Sequence, residues 1–481
     1  MIKSGSSGLS FWRLALALLL IGMFWILVQL FAYLDWGKGG SKAILLALVA
    51  VASTSILLDY RYWRSVQRMN MTGVPVVWLV ISLSIIFLLY EIISTPAGAL
   101  KLEAVVICLI IVAPLAAALI GVPIEAVARR LPAYVIGFLI VSFLGRLASF
   151  AFYLETPHLI DIAQTTLNAV HAILKGRNPY VLPIDWHPAY PNYRGYKYLP
   201  TMIATYLPLG SLFGATGMRL TNLVLDGAVA FLIGVLARRH SGWVCGMLAA
   251  SLYLMLPTLP GDIYFNAVTD LAPTVFLLAA MALYQARPGV AGVMVGFSVA
   301  AKLLPGLLMV VCCFPASGRL RYVGGILLGL IPAIVFFLLA PSDFMNNIVW
   351  FVATRPIDTT SWLFGQPSYV IMTVRLGFVL FMTAVAFAVV WRWPDFFERC
   401  ALYVLCSIAA LLVGPTTHNN YMLWWIPFFC ILLSWPLSKI MGIPEPPPAD
   451  IQFEALGKEH ARAGTLTAGD DTPLPDYAAR A

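Results

Sequence analysis

Long apolar runs, separated by short polar intervals, dominate the pattern of hydrophobic and polar positions along this chain. A run of about 17–25 apolar residues can cross a bilayer as an α-helix. Candidate crossings occur at residues 11–34, 43–58, 74–90, 102–123 and 133–153, and, after a long polar interval, at residues 218–237, 242–256, 271–284, 290–300, 303–314, 322–340, 370–390, 401–413 and 422–437. The pattern therefore predicts an all-α, polytopic transmembrane helical bundle of about a dozen helices or more.

Some of these runs are short or interrupted by proline. The two runs around Lys302 form either one kinked helix or two partial ones, because Pro305 follows closely. The stretch 199–214 is apolar but punctuated by prolines, and we expect it to lie in the outer interface or to re-enter. The first run, 11–34, is too long for a cleaved signal peptide and is predicted to be the first membrane anchor.

The composition agrees with a chain that needs lipid as its solvent. Hydrophobic residues make up 61% of the 481 residues, charged residues only 11%, and the mean hydropathy is +0.87. The net charge of +8 comes from Lys and Arg clusters between apolar runs, which indicates topology signals and contacts with anionic membrane lipids, and no nucleic-acid partner. The seven cysteines lie in or beside apolar runs without metal-ligand spacing, so we expect packing residues and no metal site.

The basic clusters also predict the orientation of the chain. With the N-terminus in the cytoplasm, one set of basic residues shares that side: Arg61, Arg64, Arg68, Arg129, Arg130, Arg238, Arg239, Arg287, Arg319, Arg321, Arg392, Arg399 and Lys439. The polar interval 154–198 then faces the periplasm, together with 257–270, 341–369 and 414–421. We expect the functional site among these loops, on the outer face of a multi-pass protein of the inner (plasma) membrane.

The long outer loop carries the first candidate for chemistry. Leu159, Ile162, Leu167 and Val170 recur at helical spacing, which predicts an interfacial helix that continues to Leu174. Asp161 falls in its first turn, where a carboxylate is commonly a capping or dipole partner. A partly desolvated carboxylate just above the membrane is equally well placed to take a proton from a sugar hydroxyl.

An aromatic segment follows this helix. Gly176-Arg-Asn178-Pro-Tyr180 reads as a tight turn that stops the helix, and Tyr196-Lys-Tyr198-Leu-Pro follows it. These tyrosines fit an interfacial aromatic belt or a surface that stacks on sugar rings, and the sequence leaves both open.

Other charged residues lie at the predicted outer boundary. An ammonium at Lys302, between two apolar half-helices, is costly unless it snorkels or finds an anion. His418 precedes the last helix, and Arg355 lies among tryptophans, where arginine is usually an interfacial anchor. For Asp262 and Asp270, beside a turn, we expect helix capping rather than a role on the acceptor side.

The ordered set of Asp161, Gly176-x-Asn178-Pro-Tyr180, Tyr196-x-Tyr198-x-Pro, Lys302-x-x-Pro and Pro415-x-x-His418 resembles glycosyltransferase family 87. These membrane-embedded GT-C enzymes are typified by polyprenyl-phosphate-mannose-dependent mannosyltransferases. The resemblance covers residues 133–437. The chain departs from the family in its additional N-terminal helices and in lacking an Asp-Asp or Asp-Glu pair in the first loop, which leaves metal dependence open.

The resemblance implies a GT-C type bundle and an inverting transfer of a sugar, with mannose as the typical sugar of the family, from a polyprenyl-phosphate-sugar donor to a glycolipid or cell-envelope glycan acceptor. It divides the chain into N-terminal helices at 1–132 and a catalytic membrane domain at 133–440; the polar composition of 441–481 predicts a disordered cytoplasmic tail. It implies Asp161 as the general base, with Glu155 and Asp185 as alternates. His418 would be a second catalytic residue, which binds the donor phosphate or donates a proton to it, and Lys302 and Arg355 would bind that phosphate. Asn178, Tyr180, Tyr196 and Tyr198 would bind the sugar or acceptor, without a cofactor.

A membrane transporter or lipid flippase is the competing class. It would also be a helical bundle with a few charges at membrane depth, such as Lys302, Arg375 and Asp226. An internal repeat and polar residues at mid-depth are typical of that class, whereas the polar residues here gather in loops predicted to share one face.

Overall fold

The structure, a computed structural model, describes residues 39–66, 124–184, 193–256 and 258–441. Within these ranges every regular element is helical, so the all-α prediction is confirmed for them. The main helices are α1 (Gly39–Val66), α2 (Ile124–Tyr153), α3 (Asp161–Leu174), α4 (Pro200–Ser241), α5 (Trp243–Leu254), α6 (Leu271–Leu283), α7 (Pro288–Val299), α8 (Leu303–Cys312), α9 (Arg319–Gly329), α10 (Ile331–Leu339), α11 (Ser368–Arg392), α12 (Phe396–Val413) and α13 (Met422–Met441). Short helical turns lie between them at Thr258–Pro260, Gly261–Phe265, Pro341–Met345, Asn346–Trp350, Phe351–Thr354 and Asn419–Tyr421.

Several predictions concern residues outside the described ranges. These are the apolar runs 11–34, 74–90 and 102–123, the alternate base Asp185, and the tail beyond residue 441. The helix expected to continue to Leu174 is confirmed, since α3 begins at Asp161 and ends at Leu174.

The apolar helices are those of a multi-pass membrane protein. Five are long and apolar enough to cross a bilayer: Val135–Tyr153 within α2, α4, α11, α12 and Asn419–Lys439. The pair α9 and α10, bent by 45°, makes a sixth if it is one span. The sequence predicts separate crossings for the runs that form α5 and α6, and one kinked helix or two partial ones for α7 and α8; these four helices have only 12, 13, 12 and 10 residues. At 1.5 Å per residue they measure about 15–20 Å, which is less than the hydrocarbon thickness of about 30 Å.

Helix α4 doubles back on itself at Gly214. This glycine has φ 57° and ψ −128°, a conformation that residues with a Cβ rarely adopt. The hydroxyl of Tyr206 donates a hydrogen bond of 2.5 Å to Oδ1 of Asn222. Along one straight helix these two residues would be about 24 Å apart. The half of α4 before Gly214 therefore packs beside the second half, which is the geometry that a re-entrant or interfacial segment requires.

Lys302 lies at the tip of a helical hairpin. It joins α7 to α8 with an extended backbone of φ −146° and ψ 119°. A Cβ on Gly306 would lie 2.4 Å from the backbone nitrogen of Val299, so the two helices pack side by side at very close range. Of the two alternatives for this region, the structure has two partial helices.

Glycines also form the contact between α7 and α9. Gly292 and Gly296 on α7 face Gly325 and Gly329 on α9, and a Cβ on any of the four would come within 2.0–2.4 Å of backbone oxygen. Two G-x-x-x-G patterns thus face each other, a known way for membrane helices to approach closely. We call these four residues the glycine seam.

Arginines join the helices at the end of α8 opposite Lys302. Nη1 of Arg399 donates to the carbonyl groups of Cys312 at 2.7 Å and Phe314 at 2.9 Å. Arg61 of α1 pairs with Glu398 at 2.6 Å, which docks α1 onto the start of α12. The bundle therefore has a basic end, formed by residues that the sequence predicts to be cytoplasmic, and a polar end that carries Lys302.

Candidate functional site

Lys302 is held at the polar end by Asp270. Its Nζ lies 2.5 Å from Oδ1 of Asp270. The Lys302 side chain is 13% exposed and that of Asp270 is fully buried. The buried carboxylate of Asp270 thus offsets the free energy of placing an ammonium between two half-helices. The part of Lys302 that stays exposed is accessible from outside the protein.

Asp270 accepts two further hydrogen bonds, both from the start of the last helix. Nδ2 of Asn420 lies 2.6 Å from Oδ2, and Nε1 of Trp424 lies 2.6 Å from Oδ1. The expectation that Asp270 caps a helix is wrong, because its side chain makes no capping hydrogen bond to α6. With three donors around it, this carboxylate organises the polar end of the bundle.

Two aromatic rings complete the surroundings of the Lys302 ammonium. Its Nζ lies 4.9 Å from the ring centre of Tyr421 and 5.1 Å from that of Trp424, within range of cation–π attraction. The two rings stack on each other at 4.5 Å. The ammonium is therefore fixed in direction by one carboxylate and two aromatic faces.

His418 and Arg355 lie next to this pair and are linked by Asp358. The ring of His418 contacts that of Tyr421 edge-on at 5.7 Å. Oδ2 of Asp358 lies 3.8 Å from Nε2 of His418 and 3.7 Å from Nη2 of Arg355. All three side chains are partly exposed, at 38%, 29% and 24% for His418, Asp358 and Arg355. Lys302, His418 and Arg355, which the sequence predicts to serve the donor phosphate, are thus joined in one chain of contacts through Tyr421 and Asp358.

Asp358 is itself held firmly by its neighbours. Its Oδ1 accepts from the backbone nitrogen of Thr360 at 2.9 Å and from its hydroxyl at 2.5 Å. The backbone nitrogen of Asp358 donates to the carbonyl of Pro415 at 3.0 Å, and Ser361 donates to the carbonyl of Gly414 at 2.8 Å. The loops that carry Arg355 and His418 are therefore fastened together, and Oδ2 of Asp358 faces both of these side chains.

Asp161 begins α3, as expected, and its side chain is exposed rather than partly buried by the protein. Its Oδ1 accepts a hydrogen bond of 2.7 Å from the backbone nitrogen of Ile162. Among the described residues, no other donor is recorded for this carboxylate, so it remains accessible for a substrate hydroxyl. The alternate Glu155 is also exposed, before the start of α3.

Asp161 is connected to the Lys302 group through one intervening loop. The backbone nitrogen of Ile160 donates to the carbonyl of Asn266 at 3.0 Å. Asn266 in turn donates to Asp262 at 3.1 Å, and the turn Gly261–Phe265 contacts the turn Asn419–Tyr421 that carries Asn420. The loop before Asp270 thus has Asp161 on one side and the Lys302 surroundings on the other.

The predicted sugar-binding residues are mostly internal. Tyr180 and Tyr196 are fully buried; the hydroxyl of Tyr180 donates to the carbonyl of Tyr198 at 2.9 Å, and that of Tyr196 lies 3.1 Å from the hydroxyl of Thr166. Burial, followed by the nearby Tyr196, raises the pKa of Tyr180 well above its usual value, which keeps this hydroxyl a donor. Asn178 accepts from the backbone nitrogen of Tyr180 at 3.0 Å, as a turn residue does. This arrangement holds the loop together, and a role in sugar binding stays a prediction.

A second charged group lies inside the bundle, between α2, α4 and α5. Nε of Arg146 lies 3.3 Å from Oδ2 of Asp226, and both side chains are almost fully buried. Tyr253 and Tyr264 donate to this carboxylate at 2.6 and 2.7 Å. Asp226, which the sequence raised as a possible transport residue, is therefore the centre of an internal polar network.

Sequence reasoning missed the two carboxylates that organise the polar end. The position of Asp270 before an apolar helix favours a capping role, and in the segment that contains Asp358 the sequence pattern indicates a candidate only at Arg355. A usable signal for Asp270 was its place before an uninterrupted apolar run, since a buried carboxylate there needs a cation. Arg355 and Thr360 lie within three residues of Asp358, but its contacts with His418 and Pro415 depend on tertiary structure and leave no signal in the sequence.

The assignment of a function depends on this geometry together with the residue pattern. No family model, curated protein or solved structure was found to match the chain.

Proposed function

We propose that this protein is an integral membrane glycosyltransferase of GT-C type that transfers a sugar from a polyprenyl-phosphate-sugar donor to a lipid-linked or cell-envelope glycan acceptor. The sugar proposed is mannose, and the proposed site lies on the outer face of the plasma membrane. The observation that carries the proposal is the convergence of Lys302, His418 and Arg355, from three separate parts of the chain, at one end of the bundle.

The chemistry of the donor explains why such a group of cations is needed. When the bond between the anomeric carbon and the phosphate oxygen breaks, its electron pair goes to the phosphate. The negative charge that develops is stabilised by cations and hydrogen-bond donors already in position. Lys302 is fixed by Asp270 and two rings, so it offers its charge without reorganisation. His418 and Arg355 are more exposed and line the approach.

The acceptor hydroxyl must lose its proton as it attacks the anomeric carbon from the opposite face. In the proposal Asp161 takes this proton. Its carboxylate is accessible to a substrate. That of Asp270 already accepts three hydrogen bonds, and that of Asp358 faces Arg355 and His418. Inversion at the anomeric carbon follows from attack opposite the leaving phosphate.

The experiment is a transfer assay with purified protein in detergent. Labelled polyprenyl-phosphate-mannose is incubated with candidate lipid-linked acceptors, and a new glycosylated product is sought. Asp161→Asn is expected to lower kcat by roughly 10²–10⁴-fold, because it removes the basic group and keeps its size. Binding of labelled donor to this variant should stay near the wild-type value.

Asp343→Asn provides the matched control. Asp343 is another exposed carboxylate in the first turn of a helix, Pro341–Met345, and no role in transfer is proposed for it. Its variant should transfer sugar normally. Normal turnover in Asp161→Asn would remove the assignment of the base, and the absence of any product from wild-type protein with every donor and acceptor would contradict the proposed function.

A transporter is the alternative that one observation favours. The buried pair of Arg146 and Asp226 is a charged group of the kind that transporters carry within the membrane. Its carboxylate is, however, bound by Arg146 and two tyrosines, which suits a structural role. Movement of intact polyprenyl-phosphate-sugar across vesicles, without formation of a new glycosidic bond, would favour transport over transfer.

A further inference from the structure

Arg219 is a fully buried arginine at the polar end of the bundle, and its hydrogen-bond partners among the described residues are backbone carbonyl groups. It lies in the second half of α4 with no exposed surface. Its Nε donates to the carbonyl of Tyr264 at 2.8 Å, and its Nη2 donates to the carbonyls of His158 and, at 3.5 Å, Phe265. A buried guanidinium usually pairs with a carboxylate. Here, within the described part of the chain, its partners are the carbonyl of Ala215 on its own helix, at 3.4 Å, and the carbonyls of two other segments.

These two segments are the ones that carry the proposed reaction groups. His158 lies three residues before Asp161, and Tyr264 and Phe265 lie shortly before Asp270. The ring of His158 stacks on that of Phe265 at 4.7 Å. Since Ile160 also bonds to the carbonyl of Asn266, the segments run side by side and meet at the Arg219 guanidinium.

One turn further along α4, Asn222 also binds the segment that precedes Asp270. Nδ2 of Asn222 donates to the carbonyls of Ile263 at 2.7 Å and Val268 at 2.9 Å. Residues at i and i+3 share a helix face, so Arg219 and Asn222 act on one side of α4. Of these two side chains, Arg219 is the one that also donates to the segment that leads to Asp161.

We propose that Arg219 is a positioning residue that sets the spacing between Asp161 and the Lys302–Asp270 pair. The inference rests on the proposed function, in which a base and a phosphate-binding group act on opposite faces of one anomeric carbon. The planar guanidinium carries five donors in a fixed fork and so can hold two segments at once. A lysine ammonium at this position has three donors on one atom and does not reproduce the separate Nε and Nη2 contacts of the guanidinium with the two segments.

Hydrogen exchange tests the structural half of this inference without any transfer reaction. In purified Arg219→Lys, peptides that contain the amides of Ile160 and Val268 should exchange at least several-fold faster than in wild type. Arg238→Lys is the control, because Arg238 is an exposed residue of the same helix. Its exchange pattern should match wild type. If Arg219→Lys cannot be purified in folded form, Arg219→Gln, which is neutral, takes its place with the same expectation.

The kinetics of sugar transfer test whether Arg219 positions Asp161 for the reaction. Arg219→Lys is expected to lower kcat by roughly 100-fold, as a displacement of about 1 Å can do, with KM for the lipid-linked donor within about twofold of wild type. In the double variant Asp161→Asn/Arg219→Lys, the rate should equal that of Asp161→Asn alone, because a base that has been removed cannot be misplaced. A general loss of structure would instead lower the rate of the double variant further.

The outcomes separate this inference from the proposed function. Unchanged exchange at both peptides, or additive losses in the double variant, would overturn the role of Arg219 while wild-type transfer stands. A wild-type protein that transfers no sugar would overturn the proposed function and the kinetic half of the inference. In that event the exchange data still decide whether Arg219 fastens the two segments.

Discussion

The ion pair of Lys302 and Asp270 makes each residue dependent on the other. Breaking a buried pair by removing one partner typically costs about 3–5 kcal/mol, whereas replacing both by neutral residues of similar volume is often neutral. We therefore expect Asp270→Asn to lower the melting temperature of the purified protein clearly, since it leaves a mostly buried ammonium without its carboxylate. The double variant Asp270→Asn/Lys302→Met should regain most of this loss, measured by thermal unfolding in detergent.

Asp358→Asn is a suitable control for this measurement. Its two ion pairs are longer, at 3.7 and 3.8 Å, and partly exposed, so its loss should cost no more than about 1 kcal/mol. A double variant as unstable as Asp270→Asn alone would mean that Asp270 acts through Asn420 and Trp424 rather than through Lys302.

Arg355 and His418, which are partly exposed at the polar end, should affect the binding of the donor more than the stability of the protein. Arg355→Ala and His418→Ala are each expected to weaken binding of labelled polyprenyl phosphate by roughly 10- to 100-fold, the usual contribution of a charge-assisted hydrogen bond. Arg375→Ala serves as the control, because Arg375 is an exposed cation on α11 away from this group. Equal affinity in all three variants and wild type would place the phosphate elsewhere.

At the level of residues, sequence pattern identified cations better than carboxylates. Lys302 stood out because an ammonium beside an apolar run demands a partner, whereas the identity of that partner depends on tertiary structure. Asp270 is 32 positions away in sequence, and Asn420 and Trp424 are farther still. Arg219 could not be recognised at all, since its partners are backbone carbonyls, which no side-chain pattern reveals.

At the level of elements, the glycine seam determines how closely α7 and α9 approach. A Cβ on Gly325 would lie 2.1 Å from the carbonyl oxygen of Gly289, so Gly325→Ala must push the helices apart. Overpacking of this kind typically costs about 1–3 kcal/mol. We expect Gly325→Ala to lower the melting temperature measured by thermal unfolding of the purified protein.

The neighbouring glycine offers the control for this prediction. A Cβ on Gly324 would meet no atom within 4 Å, and alanine favours helix over glycine by up to about 1 kcal/mol. Gly324→Ala should therefore keep or slightly raise the melting temperature. The same loss of stability in both variants would show that helix propensity, rather than close packing, governs this region.

Hydropathy located the short helices of the described region and nearly their bounds, but it did not show which of them are too short to cross a bilayer. An apolar run of about ten residues and one of about twenty have similar hydropathy per residue. The break between α7 and α8 is formed by the extended backbone at Lys302. The reversal within α4 likewise depends on one glycine conformation and on the bond between Tyr206 and Asn222. The prediction of α3 succeeded because its apolar face repeats clearly and is bounded by Asp161 and a glycine turn.

At the level of the whole molecule, the two ends differ in charge. Arg61 and Arg399 lie at the basic end, while Lys302, Asp270 and Asp358 lie at the polar end. The excess of arginine and lysine in cytoplasmic loops predicts that the basic end faces the cytoplasm. The polar end would then face outward, as the proposed use of a lipid-linked donor on the outer surface requires.

Cysteine labelling in intact cells tests this orientation. Gln164 on α3 and Gln285 after α6 are both exposed, at opposite predicted sides. In a background with Cys108 replaced by serine, a membrane-impermeant maleimide should label Gln164→Cys directly and Gln285→Cys only after permeabilisation. The other six cysteines are buried and should contribute little signal. Labelling in the reverse order would invert the assignment of the two faces.

The internal pair of Arg146 and Asp226 has a consequence for how this protein can change over generations. Both charged side chains are almost fully buried, so a mutation that removes one leaves the other unpaired and lowers the free energy of unfolding strongly. Drift at these two positions must therefore be correlated: descendants should either retain both or have lost both. A lineage with only one of them would need a substitute counter-charge in the space between α2, α4 and α5.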